Sequence, residues 1–185
     1  MQHADLWTVI RGLGELRLPN VYVGAGAVAQ TVWNVACGLD AAHAIRDLDV
    51  VYFDADDLSA QAEERVKANV KAHFTGVRCE LDVKNQARVH LWYEGKFSRA
   101  IAPFSTVEEA IATWPTSATA VGVRWEEDAL KVHAPYGLED LLNLVVRPNP
   151  ILVTKALYET KAARWKAAWP RLQVMPWIPE EIGAP

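Results

Sequence analysis

Residues 21–29 read Val-Tyr-Val-Gly-Ala-Gly-Ala-Val-Ala. Three strand-forming residues run into a Gly-Ala-Gly step, and a nearly unbroken apolar stretch continues to Cys37. The pattern predicts a short strand at 21–23, a tight turn at 24–26 and a buried helix over 27–37, stopped by Gly38. A strand that passes through glycines into a helix N-terminus can bring backbone N–H groups against a phosphate, helped by the helix dipole. The same two glycines also suit an ordinary tight turn. Gly24, Ala25 and Gly26 are therefore phosphate-binding candidates whose reading depends on what the rest of the chain supplies.

The next signal along the chain is acidic. Asp47-Leu48-Asp49 opens a strand that runs through Leu48 to Phe53. Alternate residues of a strand share a face, so Asp47 and Asp49 lie on one side, roughly 7 Å apart. Two carboxylates on one face of an otherwise apolar strand repel unless a cation sits between them, and a hard cation such as Mg²⁺ (or Mn²⁺) suits oxygen donors. A solvated strand start is the plainer alternative. Residues 78–83 read as a third strand, in which Asp82 is flanked by Leu81 and Val83 and shares a face with Glu80. With an adjacent strand about 4.8 Å away, Asp47, Asp49 and Asp82 can converge within the span of two metals about 3.5–4 Å apart. A strand-end role for Asp82 is the alternative. Arg46 and Lys84 adjoin these acids, either to neutralise them or to meet a phosphate. Arg88 lies one helical turn beyond Lys84. Arg147, Lys161 and Arg164 either reach a cleft from the C-terminal part or cap helix ends.

The remaining pattern predicts helices at 4–16, 58–74, 85–94, 137–146 and 153–169. In the second, Glu63, Glu64, Lys67 and Lys71 face water. Thr106-Val107-Glu108-Glu109 is a capping-box pattern opening another helix that ends at Trp114-Pro115. Residues 118–133 read as a hairpin turning at 126–129. Asp54-Ala55-Asp56-Asp57 reads as the cap of the helix from Leu58, and the tail from Gln173 as an extended strap. The sum is an α+β fold, a mixed sheet of about five strands flanked by helices. One domain spans 1–185, with a core at about 18–135 and a C-terminal helical segment at about 136–185.

Composition narrows the function. The 185 residues are 51% hydrophobic and 23% charged, which is globular. A net charge of -4 argues against an extended nucleic-acid duplex as partner. No apolar run approaches the ~20 residues of a membrane span, and Asp5 and Arg11 interrupt the first apolar stretch, unlike a signal peptide. Cys37 and Cys79 lack metal or redox spacing and read as reduced thiols, so a cytoplasmic location is expected. The five histidines show no ligand spacing, and His90 reads as packing. Trp (8) outnumbers both Tyr (5) and Phe (4). Trp165 and Trp169 share a helix face and point to a structural lock, while Trp33 and Trp92 are candidates to stack on a base.

The order of parts (glycine turn, helix, Asp-x-Asp strand, helix, strand with a further acid) resembles the nucleotidyltransferase superfamily typified by DNA polymerase β. Residues 23–28 and 46–50 are similar to the head of tRNA nucleotidyltransferases. Segments 24–34 (GAGAVAQTVWN), 47–53 (DLDVVYF), 83–93 (VKNQARVHLWY), 134–149 (APYGLEDLLNLVVRPN) and 161–170 (KAARWKAAWP) resemble a bacterial family of uncharacterised nucleotidyltransferase-like proteins. The resemblance implies that Asp47, Asp49 and Asp82 hold Mg²⁺ on an NTP and that the turn Gly24–Gly26 holds its β- and γ-phosphates. A hydroxyl or phosphate of a small, unidentified acceptor would then attack the α-phosphate. The chain departs from the superfamily's common Gly-Ser pattern, since no hydroxyl residue comes after Gly24 until Thr31.

Two alternatives stand beside this. One is a non-catalytic nucleotide-binding or interaction domain on the same scaffold. The other is an NAD(P)-binding Rossmann fold, because residues 24–29 also fit GxGxxA with Asp54 ending the next strand. That fold leaves Asp47 and Asp49 unexplained.

Overall fold

The computed structural model describes residues 4–177. Its centre is the strand β2 (Asp47–Tyr52). Leu48, Val50 and Tyr52 are fully buried on one side of it, and the alternation sends Asp47, Asp49 and Val51 to the other. Strand β3 (Glu80–Asn85) lies parallel to β2 with Asp49 opposite Asp82. Strand β1 (Tyr22–Gly24) lies antiparallel on the other side, Gly24 opposite Asp49. Strands β4 (Gly122–Glu126) and β5 (Ala129–His133) complete a five-stranded mixed sheet of order β3-β2-β1-β4-β5. The antiparallel β1–β2 pair excludes the dinucleotide-binding alternative, which requires parallel strands around its glycine turn.

The apolar face packs on α1 (Ala4–Gly12), α2 (Ala25–Cys37) and α3 (Ala60–His73), through Leu6, Val9, Val28, Trp33, Val70 and Phe74. The opposite face is partly covered by α5 (Val107–Ile111), where Val107 and Ile111 join Tyr22 and Val51, with Phe53 and Trp114 packed alongside. Two glycines facing each other across β1 and β4 make this approach possible. A Cβ on Gly24 would stand 2.4 Å from the Trp114 ring, and one on Gly122 would stand 2.7 Å from Ile111. Gly24 is extended rather than left-handed, so closeness, not turn geometry, selects glycine there.

The C-terminal helix α7 (Lys155–Ala168) is locked to α2 by tryptophans. Trp33 meets Trp165 and Trp169 edge-on, with ring centroids 5.7 and 5.4 Å apart. Trp169 Nε1 donates to Asn34 Oδ1 at 2.6 Å, and the Asn34 amide donates to the carbonyls of Ala41 and His43. The structural lock expected of Trp165 and Trp169 is thus present, and Trp33, wholly buried in it, has no face left for a base.

Several local expectations change. Glu63 does not face water: it is buried, pairs with Arg88 and accepts the Asn85 N–H at 2.9 Å. This fixes the corner where β3 turns into a short 3₁₀ segment and α4 (Val89–Phe97). Ser59, not the acids before it, caps α3 by accepting the Ala62 N–H. Asp54 and Asp57 each accept a backbone N–H two residues on, shaping the loop instead. The helix expected at 137–146 is only α6 (Glu139–Leu142). It breaks at the left-handed Leu144, because Val145–Val146 (β6) pairs with Gln173–Val174 (β7). The strap expected from Gln173 begins with that pairing, and its part beyond residue 177 lies outside the described residues. Neither Cys37 nor Cys79 forms a disulfide among the described residues. Among the described residues, no helix is long and apolar enough to cross a membrane.

Trp33→Ala should destabilise by about 3–5 kcal/mol, the usual cost of emptying a core aromatic position. Trp169→Phe keeps most of the ring but orphans the Asn34 carbonyl, and should cost about 1–3 kcal/mol. Urea unfolding of both variants checks the order of the two effects.

Candidate active site

On the side of the sheet opposite the main core, a cavity of about 480 Å³ opens between β2, β3, the start of α2, and helices α4 and α7. Asp47, Asp49, Asp82, Lys84, Ala25 and Gly26 all line it. Gly24 and Arg46 do not. Gly24 lies under Trp114, and Arg46 is exposed just before β2. The in-register pairing of β2 with β3 explains the convergence of the acids, because residues opposite one another in a parallel ladder present their side chains to the same face.

The electrostatics reflect this crowding. Burial, then the neighbouring charge of Asp47 and, less strongly, that of Asp82, push the Asp49 carboxyl up to about 6. Lys84 opposes the rise. The Lys84 ammonium is itself ion-paired with Asp82, two residues away on the same strand face. No group of three Asp, Glu, His or Cys side chains among the described residues is arranged to hold a metal ion. The donors are nonetheless of the right kind for a hard divalent cation, being carboxylates directed at one cavity.

The start of α2 forms the neighbouring lip. Ala25 adopts a left-handed backbone, φ 52°, and donates its N–H to the Val121 carbonyl at 3.1 Å. No side chain caps the helix. The Gly26 N–H, one of the orphan donors every helix start leaves, has no partner among the described residues, and Gly26 lines the cavity. Thr31, the first hydroxyl residue after Gly24, bonds back to the Ala27 carbonyl inside the helix. Gln30 stands beside Gly26 instead: it is 7% exposed, lines the cavity, and its side chain has no hydrogen-bond partner among the described residues. Its Nε2 lies so close to Gly26 that a Cβ there would stand 2.9 Å away. No sequence motif singles out Gln30. Its signal is its position, one helical turn past Gly26 in an otherwise apolar run.

The far wall is aromatic and basic. Trp92, Tyr93 and Phe97 of α4 line it, together with Phe104 and Trp114. Lys96 reaches over the Trp92 ring, 5.7 Å from its centroid, and Lys161 lies 5.9 Å from that of Trp165. Lys161 and Arg164 do reach the cavity from α7. Burial, and then the charge of Arg164, lower the Lys161 pKa. Arg88 and Arg147 do not take part: they pair with Glu63 and Asp140. His90 does not line the cavity, and its buried Nδ1 has no partner among the described residues. Lys96 and Phe104 escape a reading of the sequence, because neither belongs to a recognisable spacing.

A family profile described as Nucleotidyltransferase matches residues 11–174, and the chain belongs to that family. Among solved structures, one described as an NMR structure revealing a CCA-adding enzyme head domain is similar at 28% identity and a TM-score of 0.73. The match covers 94% of this chain and 88% of that one. No curated protein matches by sequence. The fold is that of a nucleotidyltransferase head domain, and family and fold together support a nucleotidyl-transfer function.

The raised Asp49 pKa gives a stability prediction. Above the ordinary carboxylate range the unfolded chain loses this proton before the folded one does. Stability therefore falls as pH rises from about 4 to about 6 and stays lower beyond. Asp49→Asn should raise the unfolding free energy at pH 8 by roughly 1–3 kcal/mol, with the gain vanishing near pH 3.5. Denaturant unfolding at the two pH values tests this, and an equal effect at both would contradict it.

Proposed function

We propose that this chain is a Mg²⁺- or Mn²⁺-dependent nucleotidyltransferase that moves a nucleoside monophosphate from an NTP to a small acceptor. One observation carries the reading: Asp47, Asp49 and Asp82 face the same cavity as the uncapped start of α2. Asp47, Asp49 and Asp82 would hold the cation, which when bound neutralises charge on the reacting and departing phosphates. The raised Asp49 pKa supports this: burial and the Asp47 charge disfavour its carboxylate, which a bound cation would stabilise.

The chain's own groups account for the rest. The Gly26 N–H and the Gln30 amide donate to the non-bridging oxygens of the β- and γ-phosphates, helped by the α2 dipole. Gln30 thereby replaces the hydroxyl of the common Gly-Ser pattern. Lys84 holds Asp82 while the cavity has no nucleotide. It exchanges that carboxylate for a phosphate oxygen when the triphosphate enters, freeing Asp82. Trp92 offers its ring to the base, and Phe97 and Phe104 keep water from the reacting groups.

A second reading has one observation in its favour. Lys84 already neutralises Asp82, which suits a domain that binds a nucleotide without turning it over. Nucleotide binding is common to both readings, and only the first includes turnover.

Thermal shift with each of the four NTPs, with Mg²⁺, Mn²⁺ or EDTA, tests the proposal. Stabilisation should require the metal and reach about 2.7 kcal/mol at a hundredfold excess over Kd. It should disappear in Asp47→Asn/Asp49→Asn and weaken about tenfold in Gln30→Leu, the loss of one hydrogen bond to a charged group. Absence of metal-dependent binding by all four NTPs overturns it, and binding without pyrophosphate release across acceptor classes favours the second reading.

A further inference from the structure

Three cations in the cavity form no salt bridge among the described residues. They are Lys96 of α4 and Lys161 and Arg164 of α7, which line its far wall. The Lys96 ammonium lies over the rings of Trp92 and Phe97, and that of Lys161 over Trp165. Like charges gathered at a partly enclosed wall repel each other. Lys161 is half-buried while Lys96 and Arg164 stand at the solvent-facing edge of the cavity, so its positive side is open to an anion arriving from solvent.

The nucleotide does not meet that need under the function proposed above, on which this inference rests. Its triphosphate is served by the start of α2, by Gln30, and by the cation that the acids hold. Lys96, Lys161 and Arg164 belong to other elements, α4 and α7. Lys161 is nevertheless close enough to Asp47 and Asp49 for its charge to interact with theirs, so an anion on Lys161 lies beside the reacting phosphate.

We propose that the acceptor is a small phosphate monoester, bound with its phosphate on Lys96, Lys161 and Arg164 and its organic part against Phe97 and Phe104. Three positive charges suit a dianion better than a carboxylate, and they reject a cationic acceptor. About 480 Å³ falls within the range of cavities for small ligands. In the reaction, an oxygen of the monoester attacks the α-phosphorus and forms a new P–O bond. The bond from the α-phosphorus to the bridging oxygen breaks, and its electron pair leaves with pyrophosphate. The product is a nucleoside diphosphate ester. A phosphate dianion attacks without losing a proton, whereas a hydroxyl needs a base, and under the function proposed above Asp47, Asp49 and Asp82 are all committed to the cation.

Phenyl phosphate is a direct probe, read by tryptophan fluorescence and calorimetry on the intact chain. It should bind, while phenol and benzylamine should not. Lys161→Gln/Arg164→Gln should weaken phenyl phosphate at least tenfold and leave the Kd for metal–ATP within about twofold. Lys96→Gln, on a different helix, should give the same pattern, which separates the effect from any disturbance of α7. A parallel loss of metal–ATP affinity would assign the cations to the triphosphate and overturn the proposal, as would unchanged phenyl phosphate binding in both variants. Failure of wild-type chain to bind metal–NTP would remove the nucleotidyltransferase reading and the acceptor role with it. Metal–NTP binding without phenyl phosphate binding would overturn the acceptor assignment alone.

Discussion

The structure depends on the two-residue alternation of β2 combined with its in-register parallel pairing to β3. Leu48, Val50 and Tyr52 must be buried for the helical layer to pack. That obligation leaves Asp47 and Asp49 no choice of face, and the register puts Asp82 beside them. A slip of one residue in either strand would bury carboxylates under α2 and α3 and expose the core. Hydrophobic burial on one face therefore enforces charge crowding on the other. The same cavity is lined by the uncapped helix start and by Lys96, Lys161 and Arg164, which form no salt bridge among the described residues.

The sheet-forming part was legible for the same reason. Period-two patterning at 47–53 and 78–83, the Gly38 stop and the Thr106 cap are local signals, and the structure keeps them with shifts of a few residues. The hairpin was legible too, and its two left-handed turn residues, Glu127 and Asp128, complete it. What was not legible depends on partners distant in sequence. Glu63 looks solvated on a helical wheel, but Arg88 and the Asn85 backbone draw it inward. Gly24 looks like a turn residue, but it is there to admit Trp114. Arg46 adjoins the acids in sequence and points elsewhere in space, because adjacent residues on a strand diverge.

The candidate site divides along the same line. Its acids arise from strand periodicity, so Asp47, Asp49 and Asp82 can be named together from their spacing. Its basic and aromatic wall is assembled from α4, α7 and the segment leading to α5, and only their packing brings Lys96, Phe104 and Lys161 to one surface. Arg88 shows the converse. Its nearness to Lys84 in sequence suggests a phosphate ligand, yet its guanidinium is used to hold the β3–α4 corner.

Trp165 belongs to both halves of this arrangement. It packs against Trp33 in the core and also lines the cavity, on the helix that brings Lys161 and Arg164. A chain made from its N-terminus exposes the acidic strands to solvent long before residues 155–168 exist. All five strands of the main sheet and the three acids thus precede in the chain the helix that completes the wall. The last helix brings Trp165 to the core and Lys161 and Arg164 to the cavity together, so a chain that stops short of residue 155 has no finished cavity.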